Sequence, residues 1–144
     1  MSQQPYRIEI LNNCICVTLR GHWDMATNIH YLSSLANTLN SRKGSSFYLL
    51  VDMRTWVVPA SAVSQRIKGH IHLDRRNQMS ELWLQSGSAD VEHIADKFSG
   101  EQHFTLHRIS TVDLFLEKVE QVCGHDNKLT VAEWLERNTI DKQN

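Results

Sequence analysis

Eight histidines and three cysteines in a chain of 144 residues make a metal or redox centre the first chemistry to test. Spacing decides whether those residues can converge. His70 and His72 stand two apart in a segment that reads as helix, roughly 200° around its axis, so they point to different sides. His103 and His107 stand four apart in a segment that reads as strand, about 13 Å, which exceeds the reach of two imidazoles on one ion. No metal is expected. Cys14 and Cys16 share a strand face, which admits a redox or soft-metal role. Extended residues two apart are about 6.6 Å between Cα atoms, awkward for a disulfide, and packing as small buried hydrophobes is the stronger reading. Cys123 adds no Cys-x-x-Cys pair, so no disulfide framework or zinc knuckle follows.

The other common chemistries lack their motifs. No glycine-rich phosphate loop follows a strand and no Gly-x-Ser-x-Gly elbow is present, so neither cofactor nor catalytic residue is expected. Arg66, Lys68, His70, His72, Arg75 and Arg76 form a basic segment with Asp74 as its only acid. No aromatic residues are interleaved for base stacking, and a formal net charge of -1 supplies no global field, so nucleic acid is not an expected partner. No apolar run approaches the roughly 18 residues of a membrane span, and a cytoplasmic protein is expected.

The most informative stretch is residues 47–59. The run 47–51 is continuously apolar, as in a central strand covered on both faces. Asp52 then stands at its carboxyl end, where open α/β sheets place their sites. Arg54 opens a connecting loop, 54–59, that carries Trp56, Val57 and Val58. These three either tuck under the next helix or form a patch for a partner.

The elements that must position these residues follow from periodicity. Tyr6, Ile8 and Ile10, then Ile15, Val17 and Leu19, alternate with other residues around Asn12 and Asn13, an opening antiparallel hairpin. Gly21 is expected to end the second strand, and Asp24 to cap a helix with a stripe of Met25, Ile29, Leu32, Ala36 and Leu39. After the 47–51 strand, Pro59 suits the start of a helix bearing Val63, Ile67 and Ile71. Residues 79–84 read as strand, Ser88 caps a further helix, and Phe104 and Leu106 mark a last strand. Ser110 is expected to cap a helix with Val112, Phe115, Leu116, Val119 and Val122 on one side, closed by Gly124. Thr130 and Glu133 pair as the capping box of a short final helix with Val131, Trp134 and Leu135 as its stripe. A hairpin followed by alternating helix and strand predicts a single α/β domain, a mixed sheet with helices packed against it, over residues 1–124. Residues 125–144 are a helical extension, docking on the domain or on a second copy in a homodimer.

This order of elements, with the segment FYLLVDMRTWVVPASAV, resembles the STAS domain, the sulfate-transporter and anti-sigma-factor-antagonist family, in its stand-alone bacterial members. In that family a buried strand ends in aspartate, and the regulatory members carry an Asp-Ser pair at the start of the next helix. Asp52 matches the aspartate and Ser61 the serine, whereas Ala60 replaces the acid, and Ala62 and Val63 stand where Ser-Gly is frequent. A Ser61 without phosphate is therefore expected. The segment Ala132, Glu133, Trp134, Leu135 is similar to the tail of relatives that lack the phosphorylation site and are linked to small apolar ligands. The resemblance implies a non-catalytic regulatory or protein-interaction module in bacterial signalling, with Asp52, Arg54, Trp56 and Ser61 nearest the working surface. A carrier or sensor of a small apolar, lipid-like ligand is the alternative. An enzyme pairing Asp52 with a histidine ranks last.

Overall fold

The computed structural model describes residues 4–57, 73–86 and 104–143. The chain opens with β1 (Tyr6–Leu11) and β2 (Cys14–His22), followed by α1 (Met25–Ser41) and β3 (Phe47–Val57). The strands β4 (Gln78–Leu84) and β5 (Thr105–Ile109) come next, and α2 (Val112–Cys123) and α3 (His125–Gln143) close the chain. The five strands form one sheet in sequence order. β1 pairs antiparallel with β2, and the pairings from β2 through β5 are all parallel. This is the mixed α/β sheet the periodicity predicts. The helices expected after Pro59 and Ser88 lie outside the described residues.

The hairpin closes over Asn12 and Asn13, with Leu11 opposite Cys14. Asn12 takes φ 57°, the left-handed backbone that asparagine tolerates in tight turns. β3 is covered on both faces, as its apolar run requires. Leu49 (1% exposed) packs with Ile15, Val17 and Val51 against Leu35 and Leu39 of α1, while Leu50 (0%) packs with Cys16, Leu82 and Leu84 against Phe115 and Val119 of α2 and Val131 and Trp134 of α3.

Several expected boundaries move. β2 does not stop at Gly21: with that residue at φ 70° the strand runs on to His22, opposite Val57. The inward face of α1 carries Asn28, Leu35 and Leu39, with Tyr31 packed beside them, and Ile29 is 40% exposed. The face is thus turned from the expected stripe, with Leu39 common to both, and Tyr31 packs on Trp23, which in turn packs on Trp56. Thr111, not Ser110, caps α2, its hydroxyl accepting from the Leu114 amide at 3.3 Å.

The largest change is α3, which begins at His125 rather than near Thr130. Gly124, at φ 97°, serves both helices: its amide donates to Glu120 O at the end of α2, and its carbonyl accepts the Lys128 amide at the start of α3. Thr130 is interior to the helix and its hydroxyl turns back onto Asp126 O. Val131, Trp134 and Leu135 are all buried in the core, so α3 docks its apolar stripe on the sheet and α2.

Candidate functional site

Asp52 does not end its strand. β3 continues to Val57, and the residues expected to form a loop from Arg54 onward pair with β2: Thr55 lies opposite Arg20, Trp56 opposite Gly21. Between Thr18 and Arg20 the register shifts, since Thr18 faces Asp52 but Arg20 faces Thr55. β3 therefore holds one extra residue, a β-bulge, and a bulge interrupts the inside-outside alternation. Leu49, Val51 and Met53 face α1, and after the bulge Trp56 faces α1 as well. A strictly alternating strand would have put Trp56 on the side of Asp52.

Trp56 is consequently core, not surface. It is 8% exposed and stacks edge-on against Trp23, ring centroids 5.2 Å apart, within a cluster that includes Tyr6 and Tyr31. This corrects its expected place on a working surface. Val57, the next residue, reaches solvent, at 46% exposure.

The bulge is organised by the buried carboxylate of Asp52. Its Oδ1 accepts from the Arg54 amide (3.2 Å) and Arg54 Nε (2.9 Å), and its Oδ2 accepts from Arg54 Nη2 (2.8 Å) and Asn138 Nδ2 (3.0 Å). The bidentate Arg54 grip is the strongest common form of this contact. Asn138, buried on α3, also donates to Thr18 Oγ1 (3.0 Å) and accepts from Arg7 Nη2 (2.9 Å). One side chain thereby ties α3 to β1, β2 and β3. Arg137 adds an outer contact to Glu9 at 3.2 Å.

Thr18, Arg20, Asp52, Arg54, Thr55 and Asn138 line a notch of about 10 Å³, the room of one water molecule. Each of these residues carries a polar side chain, and the space admits a water or a single small atom but no larger ligand. Among known proteins, no family model and no curated sequence matches this chain.

Of the residues singled out from the sequence, the structure brings Asp52 and Arg54 together and sends Trp56 to the opposite face; Ser61 lies outside the described residues. Asn138, Thr18 and Arg7 were missed. For Asn138 a signal existed: residues 127, 131, 134, 135 and 138 recur at helical spacing, so Asn127 and Asn138 share the face of the apolar stripe, and both are buried.

A second buried acid sits on the α1 side of the sheet. Glu81 Oε1 accepts from Arg75 Nη1 (2.6 Å) and Gln78 Nε2 (2.9 Å), and its Oε2 from Trp83 Nε1 (2.6 Å). Burial first, and then this nearby negative charge, push the Tyr31 phenol up. Among the described residues no three His, Cys, Asp or Glu side chains converge on a metal-sized site, and no helix is long and apolar enough to cross a membrane.

Proposed function

We propose that this chain is a non-catalytic, STAS-like regulatory module that binds a protein partner through the far end of the β2–β3 pair. The observation that carries this reading is the occupation of Asp52. Each of its oxygens accepts two hydrogen bonds from within the fold, which leaves no lone pair directed at a substrate proton, as a general base needs. The carboxylate instead fixes the bulge after which β3 runs on, paired with β2, to Val57.

β4 stops opposite Asp52, so β2 and β3 run past it as a two-stranded arm. That arm carries half-buried Arg20, Arg54 and Thr55, with exposed His22 and Val57 at its tip. An exposed apolar side chain beside an exposed imidazole at the tip fits a partner protein with an apolar pocket. The bacterial setting follows the family resemblance alone.

Native mass spectrometry of the full chain purified from its own source tests this. A stoichiometric protein partner, lost on Val57→Asp while the melting temperature stays within about 2 °C, is the expected result. A bound lipid-like molecule without a protein partner would replace this reading with the apolar-ligand carrier. A partner retained at full occupancy by the variant would refute the arm as its docking surface.

A further inference from the structure

Cys14 and Cys123 come from opposite ends of the sequence and meet in one cluster. Cys14, 1% exposed, begins β2 directly after the hairpin turn, and Cys123, half-buried, ends α2 directly before Gly124. Their meeting is enforced by groups around them. Asn127 Nδ2 donates both to Asn13 Oδ1 (2.9 Å) and to Cys123 O (2.8 Å), and Asn12 Nδ2 donates to Thr130 Oγ1 (3.1 Å). The turn before Cys14 is thus tied to the helix junction after Cys123. On its other side the turn is held by β3, since the Tyr48 amide donates to Asn13 O at 3.0 Å and Tyr48 pairs with Cys14. Tyr48 and Cys123 both pack on the cluster that contains Cys14. Contact with Cys123 pulls the Cys14 thiol down, and contact with Cys14, followed by burial, holds the Cys123 thiol up.

We propose that Cys14 and Cys123 form a redox-modification site, closing into an intramolecular disulfide when the chain meets a peroxide-class oxidant. One sulfur of the pair reacts first: the peroxide O–O bond breaks, that sulfur gains oxygen as a sulfenic acid, and one water leaves. The other sulfur then attacks it. The S–S bond forms, the S–O bond breaks, and hydroxide departs as a second water with the attacking thiol's proton. Two thiols and one peroxide yield one disulfide and two waters. Cys16 shares this face of the sheet but is wholly buried, and burial pushes its thiol up, so it serves as an internal control.

Such a bridge would cross-link β2 to the α2–α3 junction and close a loop that spans most of the chain. The unfolded state then loses freedom that the folded state has already given up.

The test is peroxide treatment of the purified full chain, followed by non-reducing peptide mapping and thermal melting. The expected product is a monomer lighter by about 2 Da, with fragmentation on either side of Ile15 assigning the link to Cys14. Its melting temperature should rise by on the order of 10 °C and return with a reductant. Cys16→Ala should keep the link, and Cys123→Ser should abolish both link and rise. A link through Cys16, a link between two chains, an oxidised monomer that melts lower, or sulfinic acid without a link would each overturn the proposal.

Discussion

Replacing Asn138 with alanine is the sharpest probe of how α3 is fastened to the sheet. The substitution removes the donor to Asp52 Oδ2, the donor to Thr18 Oγ1 and the acceptor for Arg7 Nη2. A buried hydrogen bond to a charged group contributes about 2 kcal/mol and a neutral one about 1 kcal/mol. The Arg7 contact is partly solvated and adds about 0.5 kcal/mol after screening. Asn138→Ala should therefore cost about 3–4 kcal/mol, enough to lower the melting temperature of a domain this size by on the order of 10 °C. Urea unfolding followed by tryptophan fluorescence measures it, because Trp134 lies one turn away in the same core. A double-mutant cycle with Thr18→Val isolates one arm of the network, and the expected coupling is about 1 kcal/mol. A loss below about 1 kcal/mol for Asn138→Ala, or additivity with Thr18→Val, would refute the role given to Asn138.

Three further outcomes follow from burial and charge. Leu50→Asp should leave the chain unfolded, since a carboxylate without a partner would enter the fully buried cluster between β3 and α2 at a cost of at least about 4 kcal/mol; a native circular-dichroism melt would contradict this. Trp56→Ala should destabilise by about 3–5 kcal/mol, because the indole packs against Trp23, and an unchanged urea midpoint would return Trp56 to the surface. Burial first, and Lys118 beside it, hold the His107 imidazole below its ordinary value, so the fold favours the neutral ring. The stability this residue contributes is fully present above about pH 6.5 and is lost as pH falls through the lowered folded value; His107→Gln should flatten that slope in melts run from neutral to acidic pH.

The strands and the two-sided cover of β3 were legible because alternation and apolar runs report burial directly. Ile8 against Arg7 and the unbroken run through Val51 each map onto the face they occupy. The site was legible in part. Asp52 and Arg54 stood out by type and position, but a bulge costs one residue and leaves no trace in residue type, so the side on which Trp56 lands could not be read. Gly21 misled for a related reason: its left-handed φ reads as a strand end, yet β2 absorbs it and continues. Asn138 was hidden by a boundary. A Thr-x-x-Glu pair matches a capping box, and taking it as the helix start removed the first turn, including Asn127, from the pattern that would have marked both asparagines as inward. The meeting of Cys14 with Cys123 depends on tertiary contacts between the two ends of the chain, which no local spacing encodes.

Site-specific photocrosslinking in the native source is the most direct measurement of whether the β2–β3 arm is the working surface. A benzophenone side chain placed at Val57, with a second variant carrying it at exposed Leu114 on α2, compares the arm with an unrelated face of the same molecule. The account predicts a discrete crosslinked protein from position 57 that is absent from position 114. Equal crosslinking from both positions, or none from position 57 while the protein partner still copurifies, would contradict it.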